Sequence, residues 1–111
     1  MFQRLGKNTE FKKVYNFGRW KSNRDLVMVV LKCDSSAQIY GFSVSKKVGN
    51  SVVRHRVTRL IRESFRLNRQ NLLDNKSIVV IARNTIDGKN IKYEDIESAF
   101  IHLCKIHNIY S

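Results

Sequence analysis

Proline is absent from the 111 residues, and there are only five glycines, two cysteines and one tryptophan. Without proline, and with no internal repeat or low-complexity stretch, nothing reads as a linker between domains. A chain of 111 residues is long enough for one real core and too short for two, so 1–111 is read as a single domain. No apolar run approaches the roughly 20 residues that cross a bilayer. The N-terminus also lacks the apolar stretch of a signal peptide, and both absences point to the cytoplasm. Cys33 and Cys104 lie far apart and form no CxxC. They read as buried thiols, with a disulfide unexpected in a reducing compartment.

Acidic residues are the scarcest charge, nine Asp and Glu against 21 Lys and Arg. An enzyme that hydrolyses phosphodiesters unaided commonly gathers carboxylates around two metal ions. Here the acids are scattered, apart from Glu94, Asp95 and Glu97, whose place at the start of a helix is explained by the helix dipole. His102, Cys104 and His107 lack a fourth ligand and the usual zinc spacing. There is no glycine-rich phosphate loop, and nothing specifies a nucleophile with its base. No catalytic residue and no metal site is assigned, so the chain reads as a binder and not as a self-sufficient enzyme.

What is present in excess is positive charge, a formal +12 with a pI near 10.2, on a chain whose 42% hydrophobic content is ordinary for a globular protein. The charge therefore signals an anionic partner and not disorder; nucleic acid leads, and an anionic membrane surface competes. The excess is concentrated in 46–69, where Lys46, Lys47, Arg54, Arg56, Arg59, Arg62, Arg66 and Arg69 face the single acid Glu63. Asn50 is a good N-cap for a helix through this segment. At about 100° per residue, Val53, Val57, Leu60, Ile61 and Leu67 fall on one stripe. His55, Arg59, Arg62, Arg66 and Arg69 fall on the other, flanked by Arg54 and Arg56. The plain alternative is a solvated charged face, but such faces mix signs so that Glu and Lys pair four apart. This one is nearly all positive, and it is arginine, whose planar fork matches phosphate oxygens two at a time.

Along the chain, 8–17 reads as a helix stopped by Gly18 in a left-handed position. Phe11 and Tyr15 share one face of it, as core residues at first sight. Residues 19–24 read as polar and turn-like, with Trp20 able either to stack on a base or to cover the sheet. Residues 26–33 are a buried strand, Asp34-Ser35-Ser36 a turn and 38–45 a second strand, most simply an antiparallel hairpin. After the basic helix, Asp74-Asn75-Lys76 breaks the pattern and 77–83 is a β-branched strand. Residues 85–92 form a loop containing Asp87-Gly88, and 92–109 a last helix with Tyr93, Ile96, Phe100, Leu103 and Cys104 on its inner stripe. The fold expected is α+β, a small mixed sheet packed with helices in the order αβββαβα.

SKKVGNSVVRHRVTRLIRESFR, starting at Ser45, strongly resembles the signature of the bacterial ribonuclease P protein subunit, KKxGNAxxRNRxKRxxRExFR. The lysine pair, the Gly-Asn and four arginines fall in register. RLGKNTEFKKVYNFG is similar to that family's first helix, SIVVIAR to its later strand and YEDIESAFIHL to its last helix, so the likeness covers the chain from Arg4 onward. The resemblance implies a subunit of a ribonucleoprotein that removes the 5′ leader of precursor tRNA, with the RNA as catalyst and Mg²⁺ held mainly by RNA and substrate. Its implied partners are the catalytic RNA and precursor tRNA, with no membrane and no obligate protein partner.

By the same resemblance Lys46, Lys47, Asn50, Arg54, His55, Arg56, Arg59, Arg62 and Arg66 face the catalytic RNA. Phe11, Lys12, Tyr15 and Trp20 line a leader cleft between the first helix and the sheet. The chain departs from the family pattern at His55, where Asn is usual, and at Thr58, where Lys is usual. Val29 takes the place of an aromatic leader contact found in some members. The resemblance also implies a fold shared with domains of ribosomal proteins and translocases, with a left-handed βαβ crossover against the general right-handed rule. The alternative is a ribosomal or other structural RNA-binding protein. A helix-turn-helix DNA binder comes third, because a strand stands where its preceding helix belongs.

Overall fold

The computed structural model describes residues 8–33, 40–73 and 75–110, leaving aside the side chains of 8–11. The turn expected at 34–36 and Asp74 lie outside these residues. In order come α1 (Asn8–Phe17), β1 (Arg19–Ser22), β2 (Leu26–Lys32), β3 (Tyr40–Ser43), a 3-10 turn (Lys46–Val48), α2 (Ser51–Asn68), a second 3-10 turn (Arg69–Asn71), β4 (Lys76–Ala82) and α3 (Tyr93–Ile106). This is the expected αβββαβα order around one mixed four-stranded sheet.

The pairing departs from the expected hairpin. Strand order is β1-β2-β4-β3, with β2 antiparallel to both β1 and β4, and β3 parallel to β4 at the far edge. The physical reason lies in β2 itself. Leu26, Met28, Val29 and Val30 are all buried, so both faces of the strand are covered, and such a strand belongs in the middle of a sheet. Its hairpin partner is β1, the polar RWKS read above as a turn, which is an edge strand with little to bury.

Helices α2 and α3 cover one face of the sheet. Phe65 is the hub there, with ring centroids 4.4 Å from Tyr40, 5.7 Å from Phe42 and 6.3 Å from Phe100. The inner stripe of α2 is Val53, Val57, Ile61, Ser64, Phe65 and Asn68. Leu67, expected on that stripe, is exposed. Asn68 takes the buried place because its amide is satisfied, donating to Ser64 O at 2.8 Å and to Glu97 at 3.0 Å. In α3, Ile96, Phe100, Leu103 and Cys104 face inward as expected. Asp95 accepts from the amide of Lys92 at 3.1 Å to cap its start. The helix ends at Ile106, short of residue 109, where Asn108 turns to a φ of 56°.

Helix α1 lies on the other face, where Val14 packs on Val29 and Val79. Gly18 ends it, but not in the left-handed conformation expected. A Cβ on Gly18 would lie 2.4 Å from Val14 O and 2.6 Å from Val29 Cγ1. Glycine is needed for close approach. Cys104 is buried, whereas Cys33, expected to be buried, is only partly so and accepts from the Ser77 hydroxyl at 3.3 Å; both thiols are free. Among the described residues no helix is long and apolar enough to cross a membrane.

Candidate nucleic-acid interface

Helix α2 starts where Asn50 Oδ1 accepts from the amide of Val53 at 3.0 Å, a cap that contributes about 1 kcal/mol. With its apolar stripe committed to the sheet, the helix turns His55, Arg59, Arg62 and Arg66 to solvent, and Lys46 and Lys47 are exposed just ahead of it. A groove on this surface is lined by Ser51, Val52, His55, Arg56 and Arg59.

The nine residues expected to face RNA do not form one uniform array. Arg54 is half-buried, and its Nε is sealed from solvent with no hydrogen-bond partner. Arg56 is half-buried and donates through Nη1 to Gly88 O at 2.9 Å. Arg66 pairs with Glu63, whose carboxyl is held below its usual range by that hydrogen bond. The pair is exposed, so phosphate can compete with it at little cost. Arg69, placed on the open stripe by helical spacing, instead stands 5.4 Å over the Tyr40 ring. Thr58, where lysine is usual in the family pattern, turns its hydroxyl back to Arg54 O at 2.8 Å.

A second surface lies along α1 and β1. Tyr15 is half-buried, and its phenol is pushed up by burial. The Trp20 ring, 48% exposed, stands 5.5 Å from Tyr15 at an interplanar angle of 39°. Its indole N–H donates to Tyr15 O at 3.0 Å. Trp20 is the cross-strand partner of Val29, which is fully buried and so has no surface to offer a base. Lys12 is exposed. The side chain of Phe11 lies outside the described residues.

Sequence reading missed three residues here. Phe17 is 74% exposed at the end of α1. Lys21 and Arg83 join Trp20, Ser22 and Val27 around a hollow beside the indole. An apolar residue next to a helix-ending glycine could have revealed Phe17. Lys21 and Arg83 become neighbours only through the β1-β2-β4 pairing.

Most of the described carboxylates are already engaged by neighbouring groups. Asp25 pairs with Arg24, Glu63 with Arg66, Asp87 with Asn90, Asp95 with the start of α3, and Glu97 with Tyr93 and Asn68. Among the described residues no three His, Cys, Asp or Glu side chains converge to hold a metal. Cys104, pushed up to about 12 by burial, is a core thiol, and His107 meets Met28 O at 3.1 Å through Nε2.

A helical face that is almost wholly positive, set on the same small sheet as a half-open aromatic pair, defines a nucleic-acid-binding protein of the α+β class. The family model Ribonuclease P matches residues 1–108. The ribonuclease P protein component of Lachnoclostridium phytofermentans is 49% identical over 111 residues, covering 100% of this chain and 94% of that protein. The same component from Clostridium botulinum is 47% identical over 109 residues, covering 97% and 96%. The solved RNase P protein of Staphylococcus aureus superposes with a TM-score of 0.84 at 31% identity, covering 100% of both chains. That of Thermotoga maritima, at 24% identity over 94% and 96%, shares the fold with a TM-score of 0.82. The chain belongs to the ribonuclease P protein family, and its function is that of the protein component of this endoribonuclease.

Proposed function

We propose that the chain binds the catalytic RNA of ribonuclease P through α2 and the 5′ leader of precursor tRNA through the α1–β1 surface, assisting removal of the leader. Lys46, Lys47, Arg54, His55, Arg59, Arg62 and Arg66 supply phosphate contacts, and Asn50 sets the start of the helix that carries them. Phe11, Lys12, Tyr15 and Trp20 supply the leader contacts. Bond cleavage belongs to the RNA, and Mg²⁺ is held by RNA and substrate. The work is cytoplasmic, where precursor tRNA is made.

The observation that supports this reading is that two chemically different surfaces, one basic and one aromatic, stand on the same small sheet. The exposed arc of His55, Arg59 and Arg62 suits a phosphate backbone. The tilted Tyr15–Trp20 pair suits unpaired bases, which stack on aromatic rings without regard to sequence. A structural RNA-binding protein needs the first surface and not the second. Crosslinking in cells followed by RNA sequencing tests it. One structured RNA together with precursor tRNAs is expected, with crosslinks to the leader at Tyr15 or Trp20. Recovery of ribosomal RNA alone would favour the structural alternative.

A further inference from the structure

Arg56 sits where the basic helix meets the loop that follows β4, and its Nη1 is engaged by Gly88 O at 2.9 Å. Gly88 is buried, and a Cβ there would lie 2.6 Å from Val53 Cγ1, 3.1 Å from Val57 Cγ2 and 3.2 Å from Val48 Cγ1. The loop is thus seated on the start of α2 by a close contact and a charge-assisted hydrogen bond. It is also stiff within itself. Ile86 and Ile91 are buried, Ile91 donates to Asp87 O at 2.8 Å, and the Asp87 carboxylate accepts from Asn90 at 3.1 Å.

The beginning of the same loop grips the tip of the β1–β2 hairpin. The Arg83 amide donates to Asp25 O at 2.9 Å, Arg83 Nη1 to Asn23 O at 2.8 Å, and the Thr85 hydroxyl to Arg24 O at 3.1 Å. The tip closes through Asn23 N to Leu26 O at 3.0 Å, and β1 carries Trp20, Lys21 and Ser22 into the hollow they line with Val27 and Arg83. Hydrogen bonds at the two ends of the loop, and its own backbone between them, therefore connect α2 to the hairpin whose first strand carries Trp20.

We propose that Arg56 is a positioning residue: by fixing the 83–91 loop against α2 it sets the β1–β2 hairpin, and so the leader lip, relative to the phosphate-binding face. The proposal rests on the leader reading given above. Its logic is geometric. Catalytic RNA on one surface and leader on the other belong to one assembly, and a misplacement of about 1 Å can cost about a hundredfold in such a site. A loop free to lift would let the lip drift without removing a single phosphate contact.

Three substitutions test this in the holoenzyme reconstituted with its RNA. Arg56→Gln removes the charge and the clamp; Gly88→Ala keeps every charge but forces the loop off Val53; Arg56→Lys keeps the charge and one donor. Two quantities are read, the affinity ratio of precursor to leaderless tRNA and the salt dependence of catalytic-RNA binding. Arg56→Gln and Gly88→Ala should each lower the ratio about fivefold or more, the equivalent of one weakened base stack. Arg56→Lys should restore most of it, and Gly88→Ala, which alters no charge, should leave the salt slope at its original value.

A slope reduced by roughly 0.7 to 0.9 in Arg56→Gln, with Gly88→Ala behaving as the unsubstituted protein, would make Arg56 a direct phosphate contact and overturn the proposal. An unaltered ratio in Arg56→Gln would overturn it equally. Circular dichroism checks folding, and if Gly88→Ala does not fold, the Gln and Lys variants decide between them. An unsubstituted protein with no preference for precursor would remove the leader reading itself, and this proposal with it.

Discussion

The indole N–H of Trp20 donates to the main-chain carbonyl of Tyr15 at 3.0 Å, tying β1 to the last turn of α1. The bond fixes the indole beside the phenol, 5.5 Å away and tilted by 39°, so that two rings share one half-open surface. If unpaired leader bases stack there, each contributes about 1–3 kcal/mol. Tyr15→Ala and Trp20→Ala should each weaken precursor binding by that order and leave mature tRNA affinity untouched. Trp20→Phe keeps a ring but loses the tie, and should fall between. Equal losses for precursor and mature tRNA in competition binding would return both residues to a structural role.

The open arc of α2 makes a separate prediction. On the reading proposed above, the exposed Arg59 and Arg62 contact phosphate, so replacing either with Ala should remove one such contact while lowering the positive charge of the helix. The log–log slope of RNA affinity against salt should shrink by roughly 0.7 to 0.9 for each, and the melting temperature should hardly change. A steady slope with a large loss of melting temperature would show these side chains to be structural.

Much of this was legible from residue order because the informative elements are strongly patterned. The Asn50 cap, the 3.6-residue period of α2 and the β-branched run of β4 each dictate their own structure locally. The strand pairing was not legible, because β1 is RWKS, an edge strand with no alternation of apolar residues, and its existence depends on β2 needing a second neighbour. The basic face was legible as a stripe but not in its detail. Spacing places Arg56 and Arg69 near the surface, and only tertiary contacts turn one to Gly88 and the other over Tyr40.

Gly18 tests the seat of α1. A Cβ there meets backbone, Val14 O, as well as Val29 Cγ1, so Gly18→Ala cannot be absorbed by a side-chain rotation alone. Destabilisation of about 1–3 kcal/mol is expected, the usual range for overpacking. Precursor binding should fall more than mature tRNA binding, because the helix that carries Tyr15 must shift. Chemical denaturation and competition binding measure the two effects, and a neutral substitution would show that the approach is not tight in solution.

His107 gives stability a pH dependence of known sign. Burial holds its pKa below the ordinary histidine value and nearby Arg19 and Lys21 press the same way, while the hydrogen bond to Met28 O opposes them. The unfolded chain therefore binds the proton more readily than the folded one. This contribution is fully present above about pH 6.5 and is lost as pH falls through the folded value. The melting temperature should drop between about pH 7 and about pH 5, and His107→Gln should flatten that part of the profile. An unchanged profile in the variant would assign the dependence to other groups.

The central claim is that this protein binds and positions while the RNA cleaves. Two polyanions must be brought together, and a chain of formal charge +12 supplies part of the neutralisation that divalent ions otherwise provide. The direct measurement is cleavage of precursor tRNA by protein alone, RNA alone and the two combined, across a Mg²⁺ titration. The account predicts no cleavage by the protein, and a lower Mg²⁺ requirement for the mixture than for RNA alone. Cleavage by rigorously RNA-free protein, or a mixture whose Mg²⁺ requirement matches that of the RNA, would contradict it.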